Sequence, residues 1–435
     1  MNFKYKNILV YGLSVSGQWA SRLLVKLKAN VFLFDDDKET LKSKRINGCC
    51  VLSALNEETI EQFDAVVVSP SIEQSNPNYI LAKHHGIRIF SEVEFASFFC
   101  KNFVAITGTN GKTTTVELTK ELLSTKHKTI SCGNNGFPLS RAVLEKKHYT
   151  KVVEISSFML ENCEEFAPSV ATVLNIEPDH LIRHKTMEEY TKLKMSIFNN
   201  LTPKGYAIIN LDSNIHPMGN FKVVTYSTKR MADVYVNNGY LYLKNQRIVA
   251  VADIKLKGKH NLQNVMSAVA IASLFKITVK DIKKVLTSFV GENFRIQKIA
   301  TICGIDFVND SKSTNIASTL ACVDTIKTPT QLLLGGSIKG LDYTKLFKKL
   351  PKKVKNIYAY GEIKDELERA NTNFKLFKFE TMAEAFASAV NKAKCGDTVL
   401  LSPATASYDQ FSNYICRGKA FNQLVRDYEI SNKKE

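Results

Sequence analysis

Phe103-Val-Ala-Ile-Thr-Gly-Thr-Asn-Gly-Lys-Thr-Thr-Thr115 is the stretch whose reading decides the fold. Its unbroken apolar start, Phe103 to Ile106, suits a strand covered on both faces, as in a parallel sheet flanked by helices. Gly108 and Gly111 then let the backbone turn and approach a ligand closely, and the run from Lys112 opens a helix. Strand, glycine-bearing loop and helix together make an anion site, because the first turn of a helix presents unpaired N–H groups and a positive dipole end. In such a loop Lys112 reaches the β- and γ-phosphates of a nucleotide and the Thr113 hydroxyl ligates Mg²⁺. Gly108, Thr109, Asn110, Gly111 and Thr114 complete the expected ATP contacts. The loop is shorter than G-x-x-x-x-G-K-[ST], since Ile106 stands where the first glycine would fall. An ordinary strand-turn-helix is the alternative.

Working outward, the same alternation of apolar runs and helical patterns recurs. Before the loop, Ile8 to Tyr11, Val31 to Phe34 and Ala65 to Val68 read as strands, with a helix from Gln18 to about Lys28. After it, Val152 to Ile155, Ala171 to Leu174 and Ala207 to Ile209 follow. Between Val223 and Val251 the pattern changes to short alternating strands around Asn237-Asn238-Gly239, a hairpin signal that predicts an antiparallel insert or edge. A helix over Asn261 to Phe275 precedes a third alternating set: Asp306 to Val308, Gln331 to Leu334, Asn356 to Tyr360 and Val399 to Leu401, with a helix at Met382 to Ala393. The fold class expected is α/β in three domains: a Rossmann-like parallel sheet over residues 1–92, a central phosphate-loop ATPase domain with a small antiparallel portion over 93–290, and a Rossmann-like α/β domain over 291–435.

Composition narrows the classes. At 435 residues, 44% hydrophobic and 23% charged, the chain is an ordinary globular protein with more than one core. It has no run of about eighteen apolar residues and no signal-peptide pattern at its start, so a cytoplasmic protein without membrane insertion is expected. The nine cysteines are scattered with no C-x-x-C spacing and read as reduced thiols. The net charge of +17 comes from lysines spread along the chain, one cluster lying at Lys348, Lys349, Lys352, Lys353 and Lys355. Without interleaved aromatics or a nucleic-acid motif this charge suits anionic small substrates or a solvated face, and no nucleic-acid partner is expected.

Two further strand ends carry candidate chemistry. Val152-Val-Glu-Ile-Ser-Ser-Phe158 ends an apolar strand on Glu154, an oxygen ligand of the kind Mg²⁺ takes, or else a structural carboxylate. Asn175-Ile-Glu-Pro-Asp-His180 places His180 at the end of another strand, where open α/β sheets bind ligands; a structural histidine is the alternative.

The strings TGTNGKTTT, EISSFMLE, NIEPDHLIRH, GKHNLQN, FVNDSKSTN, LLLGGSIKG and LLSPATASYDQF, in this order, resemble the Mur ligase superfamily, and the last three resemble its D-glutamate-adding branch. The resemblance covers essentially the whole chain. It implies an ATP-dependent ligase that joins D-glutamate to UDP-N-acetylmuramoyl-L-alanine through an acyl phosphate in peptidoglycan precursor synthesis, with ATP and Mg²⁺ as cofactors, acting as a monomer. Lys112, Glu154, His180 and Lys194 become catalytic residues, and Thr113, Glu154, His180 and a carbamylated Lys194 metal ligands. Read without the resemblance, Lys194 is a solvent-facing helical lysine. Asn261, Asn264, Arg295, Asp310 and Lys312 fall at the nucleotide, with His260 nearby. The turn Gly12-Leu-Ser-Val-Ser-Gly17 and Asp35 resemble a dinucleotide fingerprint in which Ser14 replaces the central glycine; here Val15, Ser16 and Asp35 are carried over to the uridine diphosphate, and Asn134 and Ser157 to the muramoyl-peptide part. Ser69-Pro-Ser-Ile72 stands where the family has S-P-G-I. Thr314, Lys339, Ser407, Tyr408 and Tyr414 match D-glutamate positions, core packing being the alternative for both tyrosines. Phe294-Arg295-Ile-Gln297 departs from the family's histidine-arginine pair with a following glutamate.

Rival readings are a sister ligase adding L-alanine, a diamino acid, a dipeptide or glutamates to folate, and a nucleotide-binding protein without ligation. The D-N-P-R run of diamino-acid adders is absent from the sequence. A non-catalytic protein would leave Glu154, His180 and Lys194 without a joint purpose.

Overall fold

The structure, a computed structural model, describes residues 2–291, 294–371 and 373–432. The chain is mixed α/β, built on three sheets. The first is wholly parallel, in the order β3-β2-β1-β4-β5, from β1 (Asn7–Tyr11), β2 (Asn30–Phe34), β3 (Cys49–Val51), β4 (Ala65–Val68) and β5 (Arg88–Ser91). The helix expected from Gln18 starts earlier, spanning Val15–Lys26 with Ser14 at its N-cap.

The second sheet has the order β14-β13-β12-β11-β10-β9-β6-β8-β7. Its strands are β6 (Phe103–Thr107), β7 (Thr129–Gly133), β8 (Thr150–Glu154), β9 (Val170–Val173), β10 (Tyr206–Asn210), β11 (Lys222–Ser227), β12 (Val234–Asn237), β13 (Tyr240–Leu243) and β14 (Gln246–Ala250). β6 lies in the interior between β9 and β8, and all five of its residues are buried, which accounts for its unbroken apolar run. The region from Val223 is not an antiparallel insert throughout. β11 pairs parallel to β10 and β12 parallel to β11, so the sheet continues and turns antiparallel only at β12–β13. There Asn238 and Gly239, both at positive φ, form the two-residue turn.

The third sheet runs β15-β16-β20-β17-β18-β19, from β15 (Gln297–Ile302), β16 (Ile305–Asn309), β17 (Thr330–Gly335), β18 (Val354–Tyr360), β19 (Lys375–Phe379) and β20 (Thr398–Leu401). Only β15 is antiparallel to its neighbour. Contacts group the chain into two units: residues 1–176, 183–255 and 261–289, holding the first two sheets, and residues 177–182, 256–260 and 290 onward, holding the third. Within the first unit one core runs from Phe3 and Val10 through Phe95 and Leu139 to Val153 and Ala207. Among the described residues no helix is long and apolar enough to cross a membrane, and all nine cysteines are free.

Candidate functional site

The phosphate loop is clamped before any ligand arrives. The Asn175 carbonyl accepts from Thr109 N at 2.9 Å, its side-chain oxygen from Asn110 N at 2.8 Å, and its amide donates to the Asn110 carbonyl at 3.0 Å. Gly111 sits at φ +82°, where a Cβ would lie 2.3 Å from Asn264 Oδ1, so this position demands glycine both for its conformation and for space. Asn264 in turn is buried on the helix Lys259–Leu274 and donates to Asn261 Oδ1 at 3.2 Å. Lys112 starts the helix Lys112–Ser124, and its ammonium folds back on the Gly108 and Thr109 carbonyls, each at 2.8 Å. Thr113 and Thr114 are buried beside it.

Parallel pairing brings the C-terminal end of β8 level with that of β6, with Glu154 opposite Ile106. Glu154 is buried; Oε1 accepts from Asn134 Nδ2 at 3.0 Å, while Oε2 has no hydrogen-bond partner. An orphaned carboxylate oxygen at a strand end beside a phosphate loop suits a hard cation, which needs oxygen donors. Lys194 overturns the solvent-facing reading. It is 1% exposed, donates to the Gly108 carbonyl at 3.1 Å, and lies 4.7 Å from the centre of the Tyr190 ring. Tyr190 also meets Thr109, hydroxyl to hydroxyl, at 3.1 Å. Ser157 is buried against His184 Nε2 at 3.0 Å.

Beyond the C-terminal ends of the interior strands β1 and β4 Val15 is exposed, and Ser14, Ser16 and Ser69 form a triangle of hydroxyls with sides of 2.5, 3.0 and 3.2 Å. Neither Ser14 nor Ser71 needs a positive φ, which is why serine serves where glycine was expected. Asp35 braces this turn, accepting from Leu13 N at 2.6 Å and Asp37 N at 3.0 Å. Its neighbour Asp36 gathers Tyr11, Asn76 and Asn78 at 2.5, 2.9 and 3.0 Å.

In the second unit His180, at φ +55°, adjoins Asp179 at 3.5 Å. Asp179 is buried and pairs with Lys339 at 2.9 Å; Lys339 and His180 hold its carboxyl below the usual range against the upward pull of burial, the largest influence. Lys339 also reaches the Thr314 carbonyl at 3.2 Å, so the structure joins two of the D-glutamate candidates. Asp310 is buried, accepting from Ile296 N and the Ser402 hydroxyl at 3.1 and 2.8 Å, and burial raises its carboxyl. Arg295 Nε is buried without a partner. His260 has its imidazole pushed down to about 4 by burial and by Arg295. The departing residues have structural work: Gln297 Oε1 accepts from Phe294 N at 2.9 Å, and the Phe294 carbonyl accepts from Lys312 N at 3.1 Å. Lys312 lies 5.4 Å from the Tyr414 ring centre, and Ser407 is buried. Tyr408, 75% exposed, is not a core residue.

Residues 106–272 match the model of the Mur ligase middle domain, and residues 294–405 that of the Mur ligase glutamate ligase domain. A UDP-N-acetylmuramoylalanine--D-glutamate ligase from Caldanaerobacter subterraneus subsp. tengcongensis is 37% identical over 447 residues, spanning 98% of this chain and 99% of that one. One from Caldicellulosiruptor bescii is 38% identical over 98% of this chain and 99% of its own. The chain belongs to the Mur ligase family. Its fold agrees with solved members: a pseudomurein peptide ligase type C from Methanothermus fervidus (TM-score 0.63, 19% identity, 97% of this chain and 100% of that chain) and MurF from Thermotoga maritima in complex with ADP (0.62, 14%, 98% and 96%).

Sequence reasoning about this Mur ligase passed over Asn175, Asp179, His184 and Arg417. Asp179 precedes His180 in the same quoted string and was within reach as a strand-end acid. Asn175 and Arg417 act through backbone contacts with segments far away in the chain, which no local spacing announces.

Proposed function

We propose that this Mur ligase adds D-glutamate to UDP-N-acetylmuramoyl-L-alanine at the expense of ATP, as a cytosolic monomer in peptidoglycan precursor synthesis. The reading is carried by the full-length likeness to ligases of that name, 37% identical over 98% of the chain. A carboxylate is a poor electrophile, so the γ-phosphoryl group of ATP first passes to the L-alanyl carboxylate, giving an acyl phosphate and ADP. The amine of D-glutamate then attacks the acyl carbon, and the tetrahedral intermediate expels inorganic phosphate.

Phosphoryl transfer rests on positioning and charge neutralisation. Lys112 exchanges its loop carbonyls for the β- and γ-phosphates, with the Gly108–Thr114 backbone as cradle and Asn261 and Asn264 holding the nucleotide. Thr113, Glu154 and a carbamate on Lys194 would hold Mg²⁺, which neutralises phosphate charge; the partnerless Glu154 oxygen supports this. His180 is the candidate for a second ion. In the second unit Arg295, Asp310 and Lys312 are assigned to ATP, Asp310 to the ribose and Lys312 to phosphate charge. The Val15 and Ser16 turn with Asp35 takes the uridine diphosphate, while Asn134 and Ser157 face the muramoyl-peptide part. D-glutamate brings two carboxylates, and Thr314, Lys339 and Ser407 supply donors, with Tyr408 and Tyr414 flanking them. A carboxylate of the amino acid competes with Asp179 for Lys339.

The test is phosphate release with Mg-ATP and UDP-N-acetylmuramoyl-L-alanine, offering D-glutamate, L-glutamate, L-lysine or L-alanine. Release should require D-glutamate, because a hydrogen-bonding pocket rejects analogues that leave its polar groups unpaired. Equal turnover with L-lysine sinks the assignment, and turnover only on longer UDP-peptides moves it to a sister ligase.

A further inference from the structure

Arg417, on the helix Tyr414–Asn432, is the largest fully buried side chain among the described residues. All five of its N–H groups find oxygen. Nε donates to Ser311 Oγ at 3.1 Å, one terminal nitrogen to the Gly335 and Ala406 carbonyls at 3.2 Å each, and the other to the Ser311 and Thr405 carbonyls at 2.9 and 3.0 Å. These acceptors are uncharged; Asp409 and Asp310 act on the guanidinium only through space. A buried cation so partnered is an expensive way to fill a core.

The acceptors are not scattered. They cluster where the adjacent parallel strands β16, β17 and β20 give way to three loops: Gly335 closes β17, and Ser311, Thr405 and Ala406 lie in the loops after β16 and β20. The first loop carries Asp310, Lys312 and Thr314, the second Lys339, the third Ser407 and Tyr408. The second and third touch so closely that a Cβ on Gly336 would lie 2.0 Å from the Ala406 carbonyl and 3.0 Å from Arg417 itself. On the same helix a Cβ at Gly418 would meet the Phe294 ring at 2.4 Å, so the segment bearing Arg295 packs against the residue next to Arg417. The loops also meet directly, Ala404 N donating to the Ser313 carbonyl at 3.0 Å, Ser337 N to the Ala406 carbonyl at 2.9 Å and Gly335 N to the Pro403 carbonyl at 3.1 Å. To these pairwise links Arg417 adds a planar five-donor fork that reaches all three from a single point.

We infer that Arg417 is a positioning residue for the incoming amino acid. Its guanidinium sets the mutual placement of the three loops and adds a positive charge beneath a site that receives a dianion. This rests on the reading of Thr314, Lys339 and Ser407 as D-glutamate contacts.

Steady-state kinetics of Arg417→Lys, Arg417→Ala and Lys339→Ala, with melting temperatures recorded alongside, tests it. Arg417→Lys keeps the charge and loses the fork. Its KM for D-glutamate should rise about ten- to hundredfold, as small misplacements do, while the KM values for ATP and the UDP precursor stay within about twofold. Guanidinium ion added to Arg417→Ala should recover part of the D-glutamate KM, and methylammonium should not. Should either Arg417 variant fail to fold, Ser311→Ala, which removes one acceptor, decides by a smaller rise in the same KM. An unmoved D-glutamate KM, or equal losses for all three substrates, overturns the inference. A rise in Arg417→Lys with none in Lys339→Ala would fault the assignment of Lys339 and leave Arg417 standing.

Discussion

Lys194 and Glu154, the proposed magnesium ligands beside the phosphate loop, both depart at the scale of single residues from what their residue types do on a surface. A lysine on an exposed helix face can be exchanged for alanine within about half a kcal/mol. Lys194 has instead its whole length buried and its nitrogen on the Gly108 carbonyl, one of the two carbonyls that also hold Lys112. If it works as a carbamate, Lys194→Ala removes an anionic ligand and activity should fall by about 10²-fold or more. Acetate or formate in the assay should restore part of the phosphate release, since a small acid replaces the missing oxygens; methylamine should not. Rescue by the amine alone would show that the lysine serves as a cation, and full activity without additive would remove it from the chemistry. Tyr408 marks the opposite case, an aromatic residue left 75% exposed in a loop that otherwise buries Ser407 and Ala406.

The phosphate loop behaves as an element because its shape depends on a helix distant in the sequence. Asn264, on Lys259–Leu274, fills the space a side chain at position 111 would need, and Asn175 pins the preceding turn from the end of β9. Gly111→Ala therefore adds a left-handed strain of about 1–2 kcal/mol to a clash at 2.3 Å. ATP affinity measured by calorimetry should weaken at least tenfold, by about 1.4 kcal/mol, with the UDP precursor bound as before. Undiminished ATP binding would show that the loop amides do not form the cradle. The third sheet repeats the plan, with loops beyond β16, β17 and β20 gathered by one side chain from the last helix.

Within the first unit the two sheets share one core, and a buried acid sits in it. Glu92 begins the short helix after β5 and accepts from Ser140 N and the Ser140 hydroxyl at 2.6 and 2.5 Å, its other oxygen lacking a partner. Burial, the dominant cause, raises its carboxyl from 4.5 to about 7 against those two bonds. Below 4.5 both folded and unfolded chains are protonated and Glu92 is neutral in the balance. As pH rises from 4.5 to about 7 the unfolded chain loses the proton first, so stability falls, by roughly 3 kcal/mol in all. Urea unfolding of Glu92→Gln should lack this loss, making the variant the more stable relative to wild type at about pH 8 than at about pH 5. Parallel pH profiles would place the ionisation elsewhere. What the sequence by itself determined were the features confined to a few consecutive residues: apolar runs that became β1, β6 and β17, the strand-loop-helix at Lys112, and the Asn238-Gly239 turn, whose φ angles follow from residue type. Family membership was legible too, since seven motifs keep their order. Only the tertiary structure decided that β11 extends the central sheet in parallel, that Lys194, Glu92 and Arg417 are buried, and that Asp179 pairs with Lys339. Each of these depends on which segments meet across separations of up to 160 residues, and burial, unlike a turn or a helix start, is set by the neighbours a side chain acquires on folding and not by the residues beside it in the chain.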